Sequence, residues 1–345
     1  MKAIVKKNPG EGAEILDVPI PKIGVDGVLV KVKATSICGT DMHIYEWNSW
    51  AQSRIKPPLV FGHEFCGEVV EVGKNVDNVE KGDYVSAETH ITCGKCYQCT
   101  HHQAEVCSDV KIIGVDVPGC FAEYIAVPAS SIWKNDKSLK PEYASIQEPF
   151  GNSVYALFAD DESVAGRTIA VLGCGPTGLF ATAIARASSA GLVVVASDTN
   201  PYRLKIAKKV GADHVFNPLE ENVPERIKEL TEGVGADIVL EMSGNPSAFK
   251  SAFESSRRGG RITLFGLFNE ELSLDVTNDV IFSGRRIVGV TGRKIWDTWE
   301  KTSELLKSKD LNIDPILTHK FKIEEFEKGM KLMKEGKCGK VILYP

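Results

Sequence analysis

Cys93, Cys96, Cys99 and Cys107 are spaced C-x2-C-x2-C-x7-C. Thiolates so placed can close a tetrahedral sulfur shell around one metal ion, and a closed all-cysteine shell is the chemistry of a structural zinc. An iron–sulfur cluster is the rival reading. The ferredoxin run places its last cysteine closer and follows it with proline. Here the last gap is seven residues and Ser108 follows, which favours zinc. Disulfide pairing is a third reading, but two-residue gaps leave little freedom to reach relaxed disulfide geometry.

A second set of metal-ligating types is scattered rather than clustered. Cys38 lies in SICGTDMH, His63 and Glu64 lie in GHE, and Glu148 lies in QEPFGN. A catalytic zinc takes about three protein ligands and keeps one position open, and one thiolate, one imidazole and one carboxylate satisfy that count. Each residue alone has a plainer explanation: a buried thiol, a satisfied histidine or a surface carboxylate. Their joint presence ahead of a four-cysteine site favours a reactive metal centre. Thr40 and His43 follow Cys38 by two and five residues, so a hydroxyl and an imidazole could pass a proton from the metal to solvent. An ordinary exposed histidine is the alternative for His43.

A third constellation is Gly173-Cys174-Gly175-Pro176-Thr177-Gly178, a G-x-G-x-x-G run between an apolar strand and a small-residue helix. Such glycines permit a tight turn and close backbone approach, and the helix N-terminus turns free N–H groups toward a pyrophosphate. An acid should end the next strand about 20 residues on. Asp198 stands there. Its carboxylate can accept both ribose hydroxyls and would repel a 2′-phosphate, so NAD is expected over NADP. Arg203 pulls the other way, and Asp198 as a helix cap is the competing reading.

These residues need elements to hold them. The first part of the chain is β-rich: segments 28–34, 68–72 and 83–86 are short β-branched runs divided by Gly, Pro and Asp. After about residue 154 the texture changes to alternating strand and helix. Strands are expected at 168–173, 193–197, 214–216, 237–242, 261–265 and 287–290. Helices are expected at 177–189, 203–210, 224–231 and 246–255. That alternation specifies a doubly wound parallel sheet. Amphipathic helices at 296–306 and 326–334 and a strand at 340–343 close the chain.

With 345 residues, two domains are the prior. A 43% hydrophobic and 25% charged composition is that of a globular protein, and a net charge of −5 without a basic block argues against nucleic acid and anionic membranes. The start MKAIVKKNPG has no apolar core of a signal peptide, and no apolar run reaches about 18 residues. Nine cysteines without such a signal suggest reduced thiols and metal sites, hence the cytoplasm.

Taken in order, Cys38, GHE at 62–64, the four cysteines, QEP at 147–149, GCGPTG at 173–178 and Asp198 resemble the zinc-containing medium-chain dehydrogenases, over essentially the whole chain. The strings at 34–58, 88–99, 114–124, 132–135 and 291–301 are similar to the branch of that family that oxidises L-threonine; the metal motifs are shared with sorbitol and butanediol dehydrogenases. The resemblance implies a GroES-like β-rich catalytic domain (1–153 and 292–345) carrying two zincs per chain. It also implies a Rossmann NAD-binding domain (154–291), with substrate bound between the two. It implies oxidation of the Cβ hydroxyl of L-threonine to L-2-amino-3-oxobutanoate, with hydride passing to NAD; a polyol or vicinal-diol dehydrogenase is the alternative. Cys38, His63 and Glu64 would hold the catalytic zinc as Lewis acid. Thr40 and His43 would release the proton. Glu148 would either exchange with water as ligand or only assist the proton step. Phe265, Gly266 and Leu267 with Val290 and Thr291 match nicotinamide- and ribose-contacting positions. His90 would shape the amino-acid pocket, and Arg293 or Arg54 would answer the substrate carboxylate. Members are commonly homotetramers.

Overall fold

The computed structural model describes every residue except 162 and 189–193. Ser189 and Val193, which bound an expected helix and an expected strand, lie outside the described residues. The chain forms two compact units. One comprises Met1–Pro149, Lys294–Trp299 and Leu317–Pro345; the other comprises Phe150–Arg293 and Glu300–Ile316. Residues 300–316 therefore pack with the second unit, where Ile313 and Ile316 are fully buried and Asn312 donates to the Lys209 carbonyl at 3.2 Å. The sequence expectation had grouped that segment with the first domain.

The first unit is built on a seven-stranded sheet. Its path runs Ile132–Lys134, Tyr84–Ala87, Glu64–Val72, Gly27–Ser36, Lys340–Tyr344 and Leu317–Lys322, with Tyr124–Pro128 also paired to Gly27–Ser36. Gly27–Ser36 is the longest strand, and its β-branched run buries most positions on both faces. Glu64 lies directly opposite Ser36, and Ser36 lies opposite Ile342. Three distant stretches thus meet at one end of three neighbouring strands. Under this sheet sits an apolar core including Phe61, Phe65, Phe121, Ile125 and Val341.

The second unit holds six parallel strands in the order His214–Phe216, Val194–Ser197, Ile169–Leu172, Ala236–Glu241, Ser256–Leu264, Arg286–Gly289. Ile169–Leu172 and Val194–Ser197 are buried at every position, as a parallel sheet covered on both faces requires. Helices Pro201–Lys209, Val223–Leu230 and Pro246–Ser255 each begin with an asparagine cap and a proline in the first turn. Asn accepts an otherwise unpaired N–H, while Pro lacks one and is preset for helical φ. This local chemistry makes the strand–helix alternation readable. Among the described residues no helix is long and apolar enough to cross a membrane.

Gly62 shows how the first unit places a site residue. Its φ is +88°, and a Cβ there would lie 2.3 Å from the Phe121 ring. The next residue is His63. We expect Gly62→Ala to combine left-handed strain with displacement of Phe121, costing about 2–4 kcal/mol and lowering the melting temperature by roughly 5–10 °C. Differential scanning calorimetry checks this; an unchanged melting temperature would contradict the clash.

Candidate functional site

Two groups of ligand atoms converge in the first unit. Cys38, His63 and Glu64 form one and Cys93, Cys96, Cys99 and Cys107 the other; within each group one donor atom per residue lies within 4.8 Å of the others.

The four cysteines sit on a lobe that begins at the short strand His90–Ile91 and includes the one-turn helix Tyr97–Thr100. All nine cysteines are free thiols. The Cys96 and Cys107 sulfurs are 3.8 Å apart, far beyond a disulfide bond but close to the edge of a tetrahedron with zinc–sulfur bonds of about 2.3 Å. Backbone N–H groups point at the sulfurs: those of Cys93 and Asp109 donate to Cys107, and that of Cys96 donates to Cys93, each at 3.4 Å. Such donors stabilise thiolate. The N–H groups of Lys95 and Cys96 lower Cys93, and those of Cys99 and Ser108 bring Cys96 down to about 5. Burial and the adjoining sulfurs push Cys99 up to about 12. Without a cation the cluster therefore keeps a proton, whereas four thiolates around a divalent ion satisfy all its sulfurs. The residues present fit a structural zinc.

The other group is built at the strand ends described above. Cys38 caps helix Gly39–Glu46, and its N–H donates to Asp41 Oδ2 at 2.8 Å. His63 and Glu64 lead into strand Glu64–Val72. Glu64 is fully buried. It accepts from the Ser36 hydroxyl and pairs with Lys340, whose Nζ lies 2.6 and 2.5 Å from its two oxygens. A buried carboxylate requires such compensation. Lys340 is itself buried; desolvation disfavours its charge, but Glu64 and Cys38 hold it above the usual lysine range. His63 Nδ1 lies 3.6 Å from Asp41 Oδ1, and both atoms are buried without a hydrogen-bond partner. A carboxylate facing Nδ1 leaves Nε2 as the ring's remaining donor toward a metal. Burial opposes charge on His63, yet Asp41 and Cys38 raise it to about 10. Burial raises Asp41 to about 6 against the pull of His63. Asp41, Cys38 and Glu148 thus favour positive charge at the position of His63, and thiolate, imidazole and carboxylate are a fitting donor set for zinc.

Thr40 Oγ1 lies 3.9 Å from the Cys38 sulfur. One helical turn on, His43 is exposed, with Nδ1 at 2.9 Å from the Asn48 amide. Glu148 is buried and stands outside the three converging groups, near enough for its charge to act on His63 and Lys340. His90 adjoins the buried Glu88 carboxylate, Nδ1 to Oε1 at 3.3 Å. Arg54 is held by Asp116 in a two-point ion pair at 2.8 and 2.7 Å, which makes it a structural group. Sequence reasoning missed Asp41, Ser36, Glu88 and Lys340. Asp41 had a local signal, the C-x-x-D spacing of a capping box; Lys340, 276 residues from Glu64, had none.

In the second unit the residues expected to meet the cofactor lie past the carboxyl ends of the parallel strands, where such sheets bind ligands. Gly173 has φ +105°, and a Cβ on Gly178 would lie 1.9 Å from the Gly173 carbonyl oxygen. Gly175 caps helix Pro176–Ala187, and nothing stands within 4 Å of the place its Cβ would take, which leaves the backbone open to a ligand. Thr177 lies in the first turn, its carbonyl accepting from Ser153. Asp198 accepts the Cys174 N–H at 2.6 Å and the Asn200 N–H at 2.8 Å, so it braces the glycine loop. The helix cap is Asn200, which accepts from Tyr202 N–H. Arg203 lies in the first turn of that helix, its buried Nε without a hydrogen-bond partner. Phe265, Gly266 and Leu267 follow strand Ser256–Leu264, and Val290 and Thr291 follow Arg286–Gly289. Arg293 is buried, packs on Gly151 and donates to Asn152 at 2.7 Å.

Cys99→Ser removes one sulfur from a closed shell. We expect it to bind less zinc and to melt at least roughly 5 °C lower. Wild-type melting with undiminished zinc would contradict a structural role.

Comparison with known proteins follows the same outline. Residues 24–137 match the family described as Alcohol dehydrogenase GroES-like domain, and residues 176–308 match Zinc-binding dehydrogenase. The chain is 50% identical to the L-threonine 3-dehydrogenase of Thermococcus kodakarensis, over 100% of this chain and 98% of that protein. It is also 50% identical to that of Bacillus subtilis strain 168, over 100% and 99%. Among solved structures, alcohol dehydrogenase TADH from Thermus sp. ATN1 superposes with a TM-score of 0.91 at 29% identity, covering 100% of this chain and 99% of that one. The 2R,3R-butanediol dehydrogenase from Bacillus subtilis gives 0.88 at 26%, also covering 100% and 99%. The chain belongs to the zinc-containing medium-chain dehydrogenases, within their L-threonine 3-dehydrogenase branch.

Proposed function

We propose that the protein oxidises the Cβ hydroxyl of L-threonine to L-2-amino-3-oxobutanoate with NAD, as a step of threonine catabolism. The observation that carries this reading is half identity, end to end, to proteins named for that reaction, against about half as much to the butanediol enzyme.

In this reading a hydride leaves Cβ for the nicotinamide ring and the hydroxyl proton leaves for solvent. Cys38, His63 and Glu64 would hold a zinc ion, whose Lewis acidity would bring the hydroxyl pKa toward neutrality. Thr40 and His43 carry the proton outward, on consecutive exposures of one helix face. Glu148 adds negative charge that favours the protonated state of its neighbours. The Gly173–Gly178 loop and the helix that follows hold the pyrophosphate on backbone N–H groups. Asp198 accepts the ribose hydroxyls and repels a 2′-phosphate. His90 shapes the amino-acid pocket. The second zinc, on the four cysteines, is structural.

Two further parts of the reading rest on chemistry of the whole chain. Nine free thiols suit the reducing cytoplasm. We also read the chain as a homotetramer, as members of this family commonly are; edge strand Arg286–Gly289 and its surroundings expose Val276, Ile281, Phe282 and Ile287, which a partner copy would cover. A single-chain mass by analytical ultracentrifugation would remove that part.

Asp198→Ala should weaken NAD and narrow its advantage over NADP by about tenfold or more, because the hydroxyl acceptor and the repelling charge go together. An unchanged ratio of the two cofactors' kcat/KM would confine Asp198 to bracing the loop.

Substrate choice gives the sharpest test. Cβ must face the nicotinamide while fixed groups meet the ammonium and carboxylate on Cα, so inverting either centre breaks an attachment. Leaving a buried charged group unpaired costs several kcal/mol, enough for discrimination on the order of a hundredfold. We expect L-threonine to exceed L-allo-threonine, D-threonine, sorbitol and 2,3-butanediol by that margin in steady-state NADH production. Equal or better efficiency with sorbitol or the diol would move the protein to the polyol branch.

A further inference from the structure

We propose that Glu88 and Trp299 are positioning residues that fix the His90 imidazole as an Nδ1–H tautomer, and that the ring so fixed determines how tightly the amino-acid substrate is held. The second half of this proposal rests on the function argued above; the first half does not.

Glu88 is a buried acid, 1% exposed, and a carboxylate removed from water must be met by donors. Its Oε2 accepts the indole N–H of Trp299 at 2.8 Å. Its Oε1 accepts the backbone N–H of His90 at 2.9 Å and lies 3.3 Å from His90 Nδ1. Trp299 is equally buried, with its ring 5.8 Å from Trp133 and 6.1 Å from Trp296, and those two rings stack at 5.8 Å. Three large rings thus make a rigid anchor, and the anchor holds the carboxylate through one N–H. Indole nitrogen only donates, so the orientation of the carboxylate is fixed.

The consequence for His90 is chemical. A carboxylate only accepts, so the ring nitrogen beside it carries hydrogen, and Nε2 becomes the acceptor of the neutral ring. An acceptor edge suits the ammonium of a hydroxy-amino acid, a donor that sorbitol and a diol lack. His90 also begins strand His90–Ile91, three residues before Cys93, so the backbone beneath it is held by the four-cysteine lobe. Glu105 also senses His90, and Lys294 and Asp297 act on Glu105 from the segment preceding Trp299.

Glu88→Gln keeps the shape but cannot accept at both ends, so its amide opposes either the indole or the His90 N–H. Trp299→Phe keeps a ring and removes the donor. The test combines two readouts on the zinc-loaded protein. Histidine 15N NMR without substrate should show His90 protonated at Nδ1 in the wild type and shifted toward Nε2 protonation in Glu88→Gln. In kinetics, Glu88→Gln should raise KM for L-threonine about tenfold, with KM for NAD and kcat changed less than about threefold. In a His90→Ala background the same substitution should raise KM by less than about twofold, because Glu88 acts through the ring. An Nε2–H tautomer in the wild type would overturn the proposal, and that result needs no variant to fold. Equal KM effects of Glu88→Gln with and without His90 would also overturn it. A wild type that leaves L-threonine unoxidised would defeat the functional reading while leaving the tautomer result standing.

Discussion

The buried pair between Glu64 and Lys340 is the constraint on which the first unit depends. Neither group is worth burying alone, since removing one partner of such a pair typically costs about 3–5 kcal/mol. Together they fix a register. Glu64 must stand opposite Ser36, whose hydroxyl it accepts, and the last strand must sit beside Gly27–Ser36 to deliver Lys340. That arrangement places Cys38, two residues past Ser36, against His63, one residue before Glu64. The convergence of these three candidate ligands is thus a consequence of strand pairing rather than of loops that happen to meet. Asp41 completes the logic by facing His63 from the helix that Cys38 caps.

The second unit solves a different problem with a different device. To hold a dinucleotide as proposed, it would leave backbone N–H groups pointing at an anion, in a site made of what side chains leave open. Gly173 and Gly178 permit an approach that any Cβ would block, and Gly175 leaves space in front of the helix. Asp198 holds this loop from just past the carboxyl end of the neighbouring strand Val194–Ser197. Glu241 does comparable work on the other side of Ile169–Leu172, where its buried carboxylate accepts the N–H groups of Ser243 and Gly244. Acidic groups at strand ends therefore stiffen the backbone that receives the cofactor.

What the sequence made legible follows from range. The four cysteines and the glycine run are local patterns whose physics acts within a few residues, and they could be read directly. The strand–helix alternation after residue 154 was legible for the same reason, as was the β-rich first part. Asp198 was legible as the acid after the second strand, but its tie to Cys174 N–H was not. Lys340 read only as the start of a last strand, because its partner is 276 residues away. Trp299 read as one apolar position of an amphipathic helix, and nothing near it pointed to Glu88. Arg54 and Arg293 looked interchangeable as carboxylate receptors until Asp116 and Asn152 gave each a partner. Burial and pairing decide such cases, and both arise from contacts that a linear pattern does not encode.

The central claim is that two chemically distinct metal centres share the first unit, one closed by sulfur and one mixed. Zinc counting joined to X-ray absorption at the zinc edge, on the purified protein, tests it most directly. The account predicts two zincs per chain, with an averaged shell that combines sulfur at about 2.3 Å with nitrogen and oxygen at about 2.0–2.2 Å. One zinc per chain in a sulfur-only shell would contradict it, because Cys38, His63 and Glu64 would then converge on no metal.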